Sequence, residues 1–120
     1  LNIDFKLEIV EKSVKKCIYL KKLCKFLELD VEIHNHDIRE IKKKNYTTLV
    51  ARAFKPLNNF FDILDMIEIK YNKILLLKGK TYNLELATAL KYWDINCVTH
   101  ASVTNPNSKV LVINSVKKNL

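Results

Sequence analysis

The residues most able to do chemistry are charged side chains at the ends of predicted strands. Glu11 directly follows one predicted strand and precedes a predicted helix. In α/β folds that bind nucleotides, a carboxylate at this position hydrogen-bonds the two hydroxyl groups of a ribose. The alternative role is structural, because an acid at a helix N-terminus is favoured by the helix dipole. Position alone favours the structural role, and the ribose role stays open.

Three cations lie at the ends of two later strands. Arg52 follows the third predicted strand, and Lys78 and Lys80 flank the only glycine, Gly79, after the next one. Parallel strands present their carboxyl ends at one edge of a sheet, where α/β proteins bind ligands. We therefore expect these cations to attract an RNA backbone or a cofactor carboxylate. The alternative is a solvated basic rim.

A histidine pair raises the question of a metal site. His34 and His36 share one face of a predicted strand, and Asp37 follows them, so two imidazoles could converge on an ion. No third ligand is apparent, and we predict no metal site. The sequence shows no Ser/His/Asp or Cys/His arrangement, so no catalytic residue is assigned.

The elements that position these residues alternate between strands and helices. Strands are predicted at 5–10, 31–36, 46–50, 73–77, 96–104 and 109–116, and helices at 12–27, from Pro56 to Ile67 and at about 82–93. The connections are a polar segment at 37–44 with room for one helical turn, a turn at 51–55, a turn at 105–108 and a solvated tail at 117–120. This order predicts βαβ units with a parallel sheet that ends in an antiparallel hairpin.

Helical periodicity also predicts which residues face the core. The first helix has Ser13 as its predicted cap. The uniformly apolar run 74–77 is typical of a strand covered on both faces. The predicted core positions of the three helices are Val14, Cys17, Ile18, Cys24 and Leu27, then Leu57, Phe60, Phe61, Leu64 and Ile67, then Leu84, Leu86, Ala87 and Leu90.

Length and composition indicate one domain spanning residues 1–120. The net charge of +8 favours an anionic partner such as nucleic acid, although lysine supplies most of it and lysine-rich composition also serves solubility. Three cysteines without paired spacing are expected to be buried free thiols in a reducing cytoplasm. No apolar run predicts a membrane span or a signal peptide. A first residue of Leu1 suggests a fragment or a processed product.

Four segments carry a resemblance to a known family. They read EIVEKSVKKCIYL, VARAFKPLNNFFDIL, KILLLKGK and VLVINSVKK. The first matches a strand, an acid and a Lys/Arg-containing helix that leads to Tyr19-Leu20. The second and third match an Ala-Arg-Ala turn and a Leu-Lys-Gly strand end. Together they resemble the ribosomal RNA small-subunit methyltransferase G family, also called glucose-inhibited division protein B.

The resemblance implies a Rossmann-like fold that uses S-adenosylmethionine to methylate N7 of a guanine in 16S ribosomal RNA. It implies a cytoplasmic monomer that acts on the small ribosomal subunit without a membrane. The fold would be incomplete, because the family's N-terminal helices and Gly-rich first strand are absent. Carried over by position, the cofactor-binding residues would be Glu11, Ile38, Arg39 and Arg52, and the RNA-binding residues would be Lys55, Lys78 and Lys80.

The sequence departs from the family in two places. Asp37-Ile38-Arg39 stands where the family has an Arg-small-Glu pattern, so the two charges are inverted. The absent strand would lie between the strands ending at Glu11 and at Val50, and each of these would lose a hydrogen-bonding neighbour. Two alternatives are therefore an inactive remnant and a basic RNA-binding domain. The 120-residue chain alone is expected not to be a competent enzyme.

Overall fold

The computed structural model describes residues 6–42, 45–52, 56–79, 82–101 and 109–119. The chain forms two compact units, Leu1–Lys43 and Lys44–Leu120. The predicted turn at 105–108 lies outside the described residues. Among the helices of the described part, none combines the length and the apolar character needed to cross a membrane.

The first unit contains a two-stranded parallel sheet. Its elements are β1 (Leu7–Val10), α1 (Val14–Phe26), β2 (Val31–His34) and a 3-10 helix (Ile38–Glu40). β1 and β2 pair in parallel with Leu7 opposite Val31. The predicted cap is confirmed, because Ser13 Oγ accepts the backbone N–H of Lys16 at 3.3 Å. The helical turn expected in the segment 37–44 is also confirmed.

The predicted core face of α1 is only partly correct. Cys17 is buried, and Cys24 is half-buried. Val14, Ile18 and Leu27 were expected to be inside, but they are 62%, 52% and 51% exposed. A sheet of only two strands covers a narrow part of a helix, so only one stripe of α1 is covered.

The second unit contains a four-stranded mixed sheet in the order β3-β4-β6-β5. Its elements are β3 (Thr48–Arg52), α2 (Leu57–Ile67), β4 (Lys73–Lys78), α3 (Tyr82–Ala89), β5 (Trp93–Ala101) and β6 (Lys109–Lys118). β3 and β4 run parallel, which confirms the predicted βαβ unit. β5 and β6 are antiparallel, as expected, and β6 also pairs with β4 and so lies between β4 and β5.

The core of this unit is organised by α2. All five side chains predicted for its core face are buried, namely Leu57, Phe60, Phe61, Leu64 and Ile67. The Phe61 ring meets the Trp93 indole of β5 edge-on at 5.8 Å between centroids. Trp93 Nε1 donates a hydrogen bond to Asn58 Oδ1 at 2.9 Å, so the helix and the sheet are also joined by a polar contact.

Several predicted element ends are wrong, and they share a cause. Ala51 and Arg52 were assigned to a turn, but they continue β3 opposite Leu76 and Leu77. Trp93 was assigned to the third helix, but it begins β5 opposite Lys118, a residue expected in a solvated tail. In each case a neighbouring strand supplies the hydrogen-bonding partner, and local sequence does not contain that information.

The predicted burial of α3 and β4 is wrong in part. Leu84, Leu90 and Ala87 are exposed, whereas Ala89 is the buried residue of α3. In β4, Ile74 and Leu76 are buried, but Leu77 is 41% exposed. This alternation shows that within the described residues one face of β4 is better covered than the other, so the apolar run did not indicate equal burial on both faces.

Within the described part of the chain, four strands have a sheet partner on one side only: β1 and β2 in the first sheet, and β3 and β5 in the second. β1 pairs with β2, and β3 pairs with β4. This agrees with the expectation that the strands leading to Glu11 and past Val50 each lack one neighbour. An edge strand leaves a row of backbone N–H and C=O groups without ladder partners on that side.

Candidate functional site

The Glu11 carboxylate is anchored at the end of β1. Its backbone N–H donates to the His34 carbonyl at 3.0 Å and thereby extends the parallel pairing by one residue. Glu11 Oε2 accepts the Ser13 N–H at 3.0 Å, while Oε1 lies 3.9 Å from Lys16 Nζ. The side chain is 25% exposed, so it is oriented by the protein and still reachable from solvent.

The remaining lone pairs of Glu11 fit a ribose. A carboxylate offers about four acceptor positions, and the Ser13 N–H occupies one of them. Glu11 therefore caps the start of α1, as the structural alternative predicted. Its remaining acceptor positions can still receive two hydroxyl donors. These residues are therefore chemically suited to hold the ribose of a nucleoside cofactor.

Sequence reasoning missed the side chain that fixes this turn. Asn35 Nδ2 donates to the Glu11 carbonyl at 3.0 Å and to the Lys12 carbonyl at 3.1 Å. The Cys17 thiol also donates to the Glu11 carbonyl, at 3.3 Å. Asn35 thus ties the segment after β1 to the segment after β2. The available signal was an amide near the carboxyl end of the strand predicted at 31–36.

The segment predicted to border an adenine is held by an internal ion pair. Arg39 Nε and Nη2 donate to the two carboxylate oxygens of Asp37 at 3.1 Å and 3.0 Å. Asp37 Oδ1 also accepts the Arg39 backbone N–H, and these hydrogen bonds hold the pKa of Asp37 well below its usual range. Ile38 is half-buried between them. The Arg39 guanidinium is already hydrogen-bonded to Asp37. A cofactor contact in this segment would therefore be made by Ile38 and the backbone.

The histidines do not converge with Asp37 as a ligand set. The His34 and His36 rings are 5.7 Å apart, and His36 Nδ1 donates to the Asp37 backbone carbonyl at 2.9 Å. His34 instead groups with Glu8 and Glu32, with one possible ligand atom from each residue lying within 4.8 Å of the others.

A lysine already serves the two carboxylates of that group. Lys6 Nζ lies 3.2 Å from Glu32 and 3.8 Å from Glu8. Its hydrogen bond and positive charge lower the pKa of Glu32. Lys6 therefore neutralises charge on these carboxylates. Glu8, Glu32 and Lys6 form an ion-pair network.

Arg52 and Lys78 lie at the same end of the sheet but on opposite faces. Arg52 ends β3 and pairs with Leu77 of β4, and Lys78 follows Leu77. Partners in a parallel ladder share a face, and successive residues alternate. Arg52 is exposed, whereas Lys78 is on the covered face with Ile74 and Leu76. The cations expected to act together are thus separated by the sheet.

Lys78 is engaged with an acid of the next helix. Its side chain is 7% exposed, and its Nζ lies 3.0 Å from Glu85 Oε1 of α3. A direct contact between Lys78 and RNA would require this ion pair to open, so its RNA role stays a prediction that the geometry does not favour. Lys55 and Lys80 lie outside the described residues, and their predicted RNA contacts also stay predictions.

A groove in the second unit lies away from these strand ends. It is lined by residues of α2, the following loop, β5 and β6, including Phe61, Tyr71, Trp93 and Val116. Burial raises the pKa of Tyr71. Trp93 begins β5 and pairs with Lys118, so the groove is near the amino end of β4. Ligands of α/β sheets bind at the carboxyl ends of strands, and this groove lies at the opposite end of the sheet from Arg52 and Lys78.

Comparison with known proteins identifies close sequence relatives. The ribosomal RNA small subunit methyltransferase G of Rickettsia prowazekii (strain Madrid E) is 34% identical over 113 residues, covering 94% of this chain and 58% of the relative. The protein of the same name from Rickettsia bellii (strain OSU 85-389) is 36% identical over 110 residues, covering 92% and 56%. The chain therefore spans a little more than half the length of these relatives.

Solved structures show the same fold at low sequence identity. The PH0226 protein of Pyrococcus horikoshii OT3 matches with a TM-score of 0.68 and 13% identity over 92% of this chain and 72% of that chain. An rRNA methylase from Streptococcus thermophilus gives 0.61 and 8% over 93% and 74%. The tRNA (uracil-54, C5)-methyltransferase of Pyrococcus abyssi, solved with S-adenosyl-L-homocysteine, gives 0.61 and 11% over 93% and 29%. The fold is thus the Rossmann-like fold of methyltransferases, as expected.

The family itself follows from the extent of the sequence match. The family model described as rRNA small subunit methyltransferase G matches residues 1–114 of the 120 in the chain. That match includes the strand leading to Glu11, the Asp37–Arg39 segment and the strand ends at Arg52 and Lys78. The chain belongs to the rRNA small subunit methyltransferase G family.

Proposed function

We propose that this chain is part of an enzyme that transfers a methyl group from S-adenosylmethionine to N7 of a guanine in 16S ribosomal RNA. The observation that carries the proposal is the family match over residues 1–114. The names of the relatives in Rickettsia support a ribosomal RNA of the small subunit as substrate. The proposal includes a single methyltransferase domain over residues 1–120, acting as a monomer in the cytoplasm on the small ribosomal subunit.

The proposed cofactor contacts are Glu11, Ile38 and the backbone beside Arg39 in the first unit, and Arg52 in the second. Glu11 would accept hydrogen bonds from the ribose hydroxyls through the oxygens that Ser13 leaves available. Ile38 and the backbone beside Arg39 would border the adenine. Arg52, exposed at the end of β3, would attract the cofactor carboxylate or a phosphate near the target base.

The proposed reaction asks little of acid–base groups. The cofactor supplies a methyl group on a positively charged sulfur, and guanine N7 carries a lone pair that needs no deprotonation before attack. The protein then contributes by placing the two reactants in line and close together. This explains why a family member can lack a recognisable acid–base pair, and the net charge of +8 suits an RNA substrate.

Cofactor binding provides the first test. Glu11→Gln keeps the size of the side chain but removes its charge, and we expect it to weaken S-adenosylmethionine binding about tenfold, because hydrogen bonds to a charged group are the stronger class. Glu28→Gln is the matched control, since Glu28 is an exposed acid of the same unit beyond α1. Isothermal titration calorimetry measures both variants in the complete enzyme that contains this chain. Equal affinities for the two variants would remove Glu11 from the cofactor site.

Methyl transfer provides the second test. Small ribosomal subunits are incubated with the protein and labelled cofactor, and N7-methylguanine is mapped by reduction and aniline cleavage of the RNA. We expect labelled N7-methylguanine from the complete enzyme and none from the 120-residue chain alone, and we expect Arg52→Ala in the complete enzyme to lower the rate of methyl transfer sharply. Salt-sensitive RNA binding without cofactor binding or transfer would instead support a basic RNA-binding domain, and absence of all three would support an inactive remnant.

A further inference from the structure

One face of α1 alternates cations and aromatic rings. Lys15, Tyr19, Lys22 and Phe26 follow one another at spacings of four, three and four residues. At about 100° per residue these four positions fall within roughly 60° of the helix circumference. We call them the lysine–aromatic stripe, and it is about 16 Å long at 1.5 Å per residue.

The stripe is open to solvent along its length. Lys15 and Lys22 are exposed, and Tyr19 and Phe26 are 65% and 83% exposed. Single exposed apolar residues are ordinary, but two exposed rings aligned on one helix face are an informative feature. Free rings next to charges have no packing role within this unit, so they are available to a ligand.

The surroundings of the stripe are strongly basic. The segment between Glu11 and Glu28 holds six lysines and no acid: Lys12, Lys15, Lys16, Lys21, Lys22 and Lys25. In the described part of the chain, Lys16 of α1 forms an ion pair with Glu11 at 3.9 Å. Lys16 lies outside the stripe. The charge of the stripe therefore remains available to attract an anion.

Alternating cations and rings suit a single-stranded nucleic acid. Ammonium groups neutralise phosphates, and aromatic side chains stack on bases that are not paired with another strand. RNA is read mainly at such unpaired bases, because the major groove of its duplex is too narrow for side chains. A chain of alternating phosphates and bases thus complements the stripe in charge and in ring stacking.

A membrane surface fits this helix less well. Helices that lie on membranes separate a broad apolar face from a charged face. Among the exposed apolar residues of α1, Val14 and Ile18 lie on a different side from Tyr19, Leu23 and Phe26, and Lys15 and Lys22 stand between the two groups. Lysines and apolar residues are therefore interleaved around the helix.

We infer that the lysine–aromatic stripe of α1 binds a single-stranded segment of the substrate RNA. The inference deepens the proposed function and rests on it, because it assumes that RNA is the substrate. It assigns the stripe a binding role that is separate from the cofactor contacts of Glu11. Substrate RNA would thus contact the first unit along α1.

The charge of the stripe is tested with paired lysine variants. K15Q/K22Q removes both stripe charges, and glutamine keeps a good helix propensity. K21Q/K25Q removes the same charge from the same helix, about a third of a turn away. Binding of a fluorescent single-stranded RNA oligonucleotide is measured by anisotropy between 50 and 200 mM salt. We expect K15Q/K22Q to lower the slope of log K against log salt by about 1.4, and the control to lower it much less.

The rings are tested separately. Y19L/F26L keeps apolar side chains but removes the aromatic faces. We expect affinity for single-stranded RNA to fall at least tenfold with the salt slope unchanged, and affinity for a duplex of equal length to change little. Circular dichroism of each variant checks that α1 and the rest of the chain remain folded.

The outcomes separate this inference from the proposed function. If the wild type binds RNA and both lysine double variants lose the same affinity, the inference about the stripe is wrong. The proposal of an RNA substrate would still stand. A wild-type chain that binds no RNA would contradict the RNA substrate and the stripe together. Tight binding to vesicles containing phosphatidylserine that Y19L/F26L abolishes, with RNA binding unchanged, would assign the stripe to a membrane and overturn the inference.

Discussion

The helices α1 and α2 have similar lengths but opposite relations to solvent. α2 buries five apolar side chains, and its Phe61 meets Trp93 of a four-stranded sheet. α1 buries only Cys17 among its described residues, accompanies a two-stranded sheet and carries lysines on several sides. The difference teaches that the helix sequence, with five lysines in α1 and none in α2, and the size of the partner sheet together decide how much of a helix is available for binding.

The largest expected loss of stability comes from a substitution in the core that α2 organises. Phe61→Ala removes a side chain that is 1% exposed, and we expect it to lower the free energy of unfolding by about 3–5 kcal/mol. Ile18→Ala on α1 is the matched change at a side chain that is 52% exposed, and we expect a loss of at most about 1 kcal/mol. Urea denaturation measures both. Similar losses would mean that α1 is as deeply packed as α2.

The next largest loss of stability is expected at a buried ion pair, and it is compared with a change at an exposed lysine. Glu85→Gln removes the carboxylate that lies 3.0 Å from the Lys78 ammonium, and the Lys78 side chain is only 7% exposed. We expect a loss of roughly 3 kcal/mol, because the change removes one member of a buried ion pair. Lys22→Gln on the exposed face of α1 serves as control, and we expect it to change stability by less than about 0.5 kcal/mol. A neutral Glu85→Gln would show that Lys78 can reach water, which would revive its direct contact with RNA.

A smaller effect concerns the start of α1. Ser13→Ala removes the side-chain oxygen that accepts the Lys16 N–H at 3.3 Å, and we expect a loss of about 1 kcal/mol. Ser13→Asn retains a capping acceptor and is the control. Hydrogen exchange of the first turn of α1 measures the change. A loss confined to the second unit would show that the cap does not stabilise α1 locally.

The smallest effect concerns the exposed pair Asp37–Arg39. Arg39 holds the folded-state pKa of Asp37 below its ordinary value of 3.8. The contribution of this pair is therefore fully present above about pH 4 and is lost as the pH falls through the lower folded value. Carbon NMR titration of the Asp37 carboxyl should show a midpoint below 3.8, and Arg39→Gln should return it towards 3.8. An unchanged midpoint in Arg39→Gln would mean that the guanidinium does not set this pKa.

The same pair explains how an inverted sequence pattern can keep a loop in place. The family pattern puts a basic residue before an acid, whereas this chain has Asp37 before Arg39. The carboxylate and the guanidinium nevertheless meet through two hydrogen bonds. Charges two residues apart can therefore form an ion pair when the acid comes first.

The sequence by itself determined the parts of this protein that local pattern and charge encode. The spacing of Leu57, Phe60, Phe61, Leu64 and Ile67 predicted the face that α2 buries, because apolar residues at helical spacing must share one side. The position of Ser13 predicted the start of α1. Four short segments predicted the family, and the match over residues 1–114 confirmed it.

The tertiary structure decided whatever depends on a distant partner. Ala51, Arg52 and Trp93 belong to strands because Leu76, Leu77 and Lys118 supply their ladder partners. Lys78 faces Glu85 because the register of β4 puts it on the covered side of the sheet. Hydrogen-bonding register and the area covered by neighbouring elements are set by residues far away in the chain, so local sequence patterns could not supply them.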